Sequence, residues 1–257
     1  MNSTQFLIAA WQWRPAILIM TALTLAVYFK YFGWTPKAAW LLSAAALFLL
    51  TVCSPLAALA NAYLFSAHML QHLLLVLVIP AFALLALPRH FHFLHSASRL
   101  SHPAVSWACG VGAMWIWHAP ALCNAAATSG AVWAVQTVSL LLLGAIFWWQ
   151  LLAPDPAQRI PPLHGVLYLF TACTACTVLG IILTFSPVTV CSAYQQPADP
   201  LGIAPLIRDE WGMTPSRDQQ IGGLIMWVPM CMVYLGAIFG QLARWYSVPA
   251  EPRVATT

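Results

Sequence analysis

Charge is what this sequence has least of. Asp, Glu, Lys and Arg make up 6% of its 257 residues, where a soluble chain carries about 25%. So few ionic groups cannot coat a water-facing surface, and a soluble globular protein is excluded. Ten basic and six acidic residues leave a net charge of +4. They form no run of Lys or Arg, so nothing marks a nucleic-acid partner. No Cys-x-x-Cys pair stands in a polar loop, and an odd count of seven cysteines argues against a simple disulfide framework. The N-terminus lacks a short apolar stretch followed by a small-residue cleavage site, so the first apolar segment is expected to be retained. No repeat or low-complexity tract is visible, and residues 1–257 read as a single integral-membrane domain.

What the chain has in abundance is apolar surface: 61% of it is hydrophobic and its mean hydropathy is +0.80. This composition predicts an all-α, polytopic membrane helix bundle. A span needs about 20 apolar residues, and seven candidates follow from the pattern. They are Pro15–Phe32, Ala38–Leu56, Ala60–Leu87, Ala104–His118, Ala131–Leu152, Leu163–Phe185 and Ile221–Tyr246. The fourth is short, and Pro80 is expected to kink the third.

Lys30, Lys37, Arg89, Arg99, Arg159, Arg244 and Arg253 then fall on one side, and Arg14, Arg208 and Arg217 on the other. The positive-inside bias puts the second side out, with the N-terminus outside and the C-terminus inside. The longest outer loop is 186–219, which holds four of the six acids. Cys53, Cys123 and Cys191 all fall near the outer face, where an oxidising compartment permits a disulfide. The sequence pairs none of them.

Polar groups inside spans are rare and mark sites by default. His68 and His72 lie four apart in the third span, so both imidazoles share a helix face. That is how a helix presents two metal ligands, as in H-E-x-x-H zinc helices, but the Glu of that motif is absent here. His118, at the end of "MWIWHAP", and Asp218, at the start of "DQQIGGLIMWVP", arrive from two other spans at the same outer depth. Gly222 and Gly223 leave the last span without bulk there, so a neighbouring helix can approach. Met69, Met114, Met226 and Met230 bring thioethers to the region. Imidazoles alone suit zinc, copper, iron or nickel, and thioether sulfur shifts the preference toward Cu(I). Single histidines bonded to carbonyls across helix interfaces would be the plain structural reading; three at one depth favour a site.

Other features read more plainly. Cys173 and Cys176, in "CTAC", are expected to pack as small hydrophobes. Gly236 and Gly240 form a small-xxx-small face that would serve a homo-oligomer, a contact with a partner subunit or internal packing, with internal packing the expectation. The inner loop "PRHFHFLHSASRLSH" carries His90, His92, His95 and His102 and reads as an interfacial amphipathic segment before it reads as a metal site.

The succession "SAHMLQHLLL", "WHAPAL", "GAIFWWQLL", "LGIILTFSP" and "DQQIGGLIMWVP" resembles the multi-span CtaG-type cytochrome c oxidase assembly factors, over roughly Leu56 to Trp245. The resemblance implies a multi-pass protein of the bacterial inner (cytoplasmic) membrane that helps to metallate a haem-copper oxidase, and no enzyme. It implies a copper site made by His68, Met69, His72, His118, Asp218 and Met226. It also implies the oxidase catalytic subunit and an extracytoplasmic copper chaperone as partners. Where the family often places an acidic or polar residue after the W-H-x-P block, this chain has "CNAAAT", with Asn124 as the substitute. Two other readings of the same residues stay open: an intramembrane zinc hydrolase using His68, His72, His118 and Asp218 with Ser66, and a bis-histidine haem electron carrier.

Overall fold

In the computed structural model, residues 3–89, 91, 102–197 and 199–247 are described. They form eleven α-helices, with no strand among the described residues. A short α1 (Ser3–Ala9) precedes α2 (Pro15–Phe32), α3 (Ala38–Cys53) and α4 (Pro55–Ala62). Next come α5 (Phe65–Leu73), a π-helical turn (Leu74–Val78) and α6 (Ile79–Ala86), which together make one 22-residue apolar rod. Then α7 (Pro103–Trp117), α8 (Pro120–Thr128), α9 (Gly130–Leu152), α10 (Pro162–Phe185) and α11 (Pro215–Tyr246) complete the chain.

Five helical segments are long and apolar enough to cross a bilayer, and six if the α3–α4 pair is one bent span. The seven spans read from the sequence are not all reached, for two reasons. Ser54 breaks the second, because Pro55 cannot continue the α3 ladder and α4 leaves at 49°. The fourth is α7, whose 15 residues cover only about 23 Å at 1.5 Å per residue, and Pro120 stops it. The apolar side chains point outward as well as inward: Phe170, Leu167, Val135 and Phe239 are exposed on α9, α10 and α11. Water would not tolerate such surface, whereas lipid does. The helices fit a multi-pass membrane protein.

Pro80 acts one turn earlier than a simple kink. Lacking an N–H, it cannot pair with the carbonyl of Val76, and the ladder shifts so that the Ile79 amide bonds Leu74 O instead. The released Val76 carbonyl faces Gly144 of α9, where an added Cβ would collide with it. Only a glycine admits that approach. The π-turn begins two residues after His72.

The main core lies between α3, α5–α7 and α9–α11, with α10 and α11 packed along most of their length. A second cluster of Phe6, Tyr63, Leu64, Ile203, Leu206 and Ile207 caps the end of the bundle where α4 meets α5. The opposite end gathers basic side chains. Lys37 Nζ donates to Leu87 O (2.7 Å), Arg159 Nε to Ala153 O (2.7 Å), and Arg159 feels Arg244 and Arg89. Gly236 and Gly240 do not pack internally, contrary to the reading above: a Cβ added at either meets nothing within 4 Å. Of the loop histidines, His90, His92 and His95 lie outside the described residues, as do Arg99 and Arg253. His102 caps α7, its Nδ1 accepting from the Ala104 amide at 3.3 Å.

Candidate metal centre

The helix that carries His68 and His72 starts without a cap of its own. Leu64 is extended and supplies no side-chain acceptor, so the first amides of α5 would be orphaned in an apolar interior. Asp218 of α11 satisfies them across 153 residues: Oδ2 accepts from the Phe65 amide at 2.7 Å and Oδ1 from the Ser66 amide at 3.0 Å. A carboxylate is also the right charge for a helix N-terminus. One turn further, Gly222 removes the side chain that would strike Phe65 and Met69; an added Cβ would sit 2.6 Å from the Phe65 ring and 3.1 Å from Met69 Cγ. Gly223 does the same toward Thr184 and Gly180 of α10. Gln219 holds the loop between α10 and α11, accepting from the Val190 amide (3.0 Å) and donating to Val188 O (3.1 Å). The "DQQIGG" block thus fixes α5 on one side and the loop and α10 on the other.

The three histidines converge. His68 and His72 are each 1% exposed and His118 5%. Ring centroids are 4.4 Å apart for His68–His72 and 5.1 Å for His72–His118. His118 reaches this position because Pro120 ends α7 and leaves the imidazole at the last turn. Its Nδ1 bonds Met114 O, and its Nε2 lies 2.9 Å from Met69 Sδ. A ring that donates Nδ1–H to a carbonyl keeps its lone pair on Nε2. Nitrogen and thioether therefore meet lone pair to lone pair, an arrangement that a soft cation relieves. Both nitrogens of His68 and both of His72 are buried without a hydrogen-bond partner, although Gln136 of α9 is close enough to influence His72. Buried polar groups left unpaired cost about 1–3 kcal/mol each. Gln71, between the two histidines, is engaged elsewhere, its Nε2 donating to Thr51 O at 2.6 Å.

The residues named from the sequence divide into two groups. His68, Met69, His72 and His118 come together. Asp218 lies at the same level with both oxygens occupied by backbone amides, and Ser66 joins it through its side chain. Met226, Met114 and Met230 are fully buried in the same core, and the carbonyl of Met114 orients His118. Asn124 points to the loop between α10 and α11: its Oδ1 accepts from the Ala193 amide (2.8 Å) and Ser192 Oγ (3.1 Å). Among the described residues no three His, Cys, Asp or Glu side chains form a ready-made cage. The imidazoles must turn from ring-on-ring packing before they share one ion.

Two elements of the site come from the loop between α10 and α11. Tyr194 lies 5.7 Å, centroid to centroid, from His68 and donates its hydroxyl to Ala60 O at 2.7 Å. Burial pushes its phenol well above the usual range, so it stays a neutral donor. Cys191, three residues before it, forms a disulfide with Cys123 of α8, with the Cα atoms 5.8 Å apart. Cys53 is free and buried. The strap from Cys191 to Tyr194 therefore closes the histidine cluster from the end of the bundle, pinned by the disulfide, by Asn124 and by Arg208, whose Nη2 donates to Tyr194 O at 2.9 Å. Position in the chain made Cys123 and Cys191 eligible partners, but nothing local marked Tyr194.

Comparison with known proteins adds a family. The family model described as cytochrome c oxidase caa3 assembly factor (Caa3_CtaG) matches residues 28–247. An uncharacterised protein of Mycobacterium leprae (strain TN) is 26% identical over 206 residues, which cover 71% of this chain and 30% of that protein. The chain thus spans about a third of the length of that relative. No solved structure matches.

Proposed function

The chain belongs to the caa3 cytochrome c oxidase assembly factors, and from that membership we propose that it carries Cu(I) for the metallation of a haem-copper oxidase. The cargo is held by His68, Met69, His72 and His118 in the outer half of the bundle, with Met226 as the nearest further thioether on α11. The observation that carries this reading is the set of four unpartnered imidazole nitrogens on α5 beside the His118 Nε2–Met69 Sδ contact. Imidazole and thioether together suit Cu(I). Asp218 acts as a positioning residue, holding α5 and its two histidines against α11. Ser66, the serine a hydrolase would need at this level, is tied to Asp218, which favours a carrier over an enzyme.

Two independent features support the orientation. The basic side chains cluster at the end away from the histidines, as expected of a cytoplasmic face, and the Cys123–Cys191 disulfide sits at the histidine end, as expected of an oxidising compartment. Both features support a reading in which the protein sits in a bacterial inner membrane with the site near the outer face, at the depth where a haem-copper oxidase holds its own copper. A weak His/Met set could pass the ion sideways to the oxidase catalytic subunit by ligand exchange, after receiving it from an extracytoplasmic chaperone. No naked ion would cross hydrocarbon.

The test is His68→Ala with His72→Ala in cells that hold no other copy of the gene. Full-length protein at wild-type level, with loss of oxidase activity and of oxidase-bound copper, is expected. Unchanged activity and copper content would overturn the assignment.

A further inference from the structure

Cys173 and Cys176 share a face of α10, and the structure adds a third thiol that the sequence left unconnected. Cys231 of α11 faces Cys173 with the sulfurs 2.9 Å apart, well beyond the ~2.05 Å of a disulfide. Thr177 Oγ1 is 3.2 Å from the same Cys231 sulfur. Two hydrogen-bearing groups, one thiol and one hydroxyl, are therefore gathered at one sulfur. Cys176 lies one turn along, 3.9 Å from the Tyr234 hydroxyl. Cys173 stands half-way along α10 and Cys231 half-way along α11. The pair is thus at mid-membrane depth, about 20 Å along α11 from Asp218 at 1.5 Å per residue. Met226 and Met230, both fully buried, occupy the intervening turns of α11.

We propose that Cys173 and Cys231 form a second, two-coordinate site for a soft monovalent metal ion, separate from the histidine cluster. Thiolate sulfur selects Cu(I) over harder ions, and two ligands from two helices leave the site open to exchange. Among the described residues no third His, Cys, Asp or Glu side chain completes a cage around them, which disfavours zinc with its four ligands. Binding is balanced by two protons: Cu(I) bonds the two sulfurs as thiolates and both thiol protons leave. The two-coordinate complex then carries one negative charge, and the Thr177 hydroxyl, 3.2 Å from the Cys231 sulfur, donates to it as a positioning residue. The sulfurs must move apart from their 2.9 Å contact to admit the ion between them.

The test is Cu(I) stoichiometry in detergent-purified full-length protein with the Cys123–Cys191 disulfide intact, titrated anaerobically against bicinchoninate. Wild-type protein is expected to hold two ions per chain and Cys173→Ser with Cys231→Ser one. The thiolate-to-copper near-ultraviolet absorption should be lost only in the cysteine variant. His68→Ala with His72→Ala reports on the other site: if the histidine assignment is wrong, wild type binds a single ion that this variant keeps and the cysteine variant loses. X-ray absorption of the copper-loaded histidine variant needs no cysteine substitution, and should give a shell of two sulfurs. Wild-type stoichiometry in the cysteine variant, or a shell of nitrogen and oxygen alone, would overturn the proposal.

Discussion

The two ends of the bundle handle buried polarity in opposite ways. At the basic end, Tyr28 donates to Ala86 O (2.8 Å), Lys37 to Leu87 O and Arg159 to Ala153 O. Long polar side chains there find backbone carbonyls, and the unpaired groups toward that end are single indole N–H donors, those of Trp107 and Trp148. The histidine end buries three imidazoles, a carboxylate and a disulfide within a few turns, and leaves both nitrogens of two adjacent rings unpaired. A chain that pairs its polar groups at one end could do so at the other. The unpaired imidazoles are thus a feature of the candidate site, held in place by a carboxylate cap from α11 and a disulfide-pinned strap that the described residues of the basic end lack.

The largest effect on this contrast is expected from Asp218→Ala. It strands two buried amides at the start of α5 and removes a charge from a helix N-terminus, costing about 2–6 kcal/mol at 1–3 kcal/mol for each lost partner. Thermal unfolding in detergent should show the loss together with loss of bound copper, and Asp218→Asn, which keeps one acceptor, should recover part of both. A variant that unfolds like wild type would refute the capping role.

Second in size is removal of the Cys123–Cys191 bridge, which closes a loop of 68 residues, by Cys123→Ser with Cys191→Ser. A cost of about 2–4 kcal/mol is expected, with faster release of copper to a competing chelator as the strap over His68 loosens. Unchanged release would mean that the strap does not cover the site.

A matched pair comes third. Tyr194→Phe and Tyr28→Phe each delete one tyrosine-to-carbonyl bond, at opposite ends, and each should cost about 1 kcal/mol. Copper release should quicken in Tyr194→Phe alone. Equal effects on copper would erase the distinction between the ends. The smallest effect is expected from Gly240→Ala, where the new methyl meets open space, and no shift in unfolding temperature should be measured.

How far the sequence carried this account depends on the range of each interaction. The i,i+4 spacing of His68 and His72, and the positions of His118 and Asp218 near span ends, follow from helix periodicity and charge bias; the structure gathers the three histidines and uses Asp218 at the same level to cap α5. Gly222 was legible as a place of close approach, and Phe65 and Met69 use it. The task of Asp218 was not legible, because a carboxylate capping a helix 153 residues away leaves no local pattern. Tyr194 was missed for the same reason, since it sits in an irregular loop with no periodicity to place it. The break at Ser54 and the π-turn before Pro80 escaped because proline announces a disturbance without fixing where the ladder re-forms. Gly236 and Gly240 carry the same pattern whether they face a neighbour or lipid, so only packing could decide.

The central claim is that the imidazoles on α5 and α7 exist to hold copper. Elemental analysis of protein purified without chelator, followed by X-ray absorption at the metal edge, tests it most directly. Copper with a mixed imidazole and sulfur shell, diminished in the His68→Ala, His72→Ala variant, is the result this account predicts. Zinc in place of copper, or a metal content unchanged by the substitutions, would contradict it.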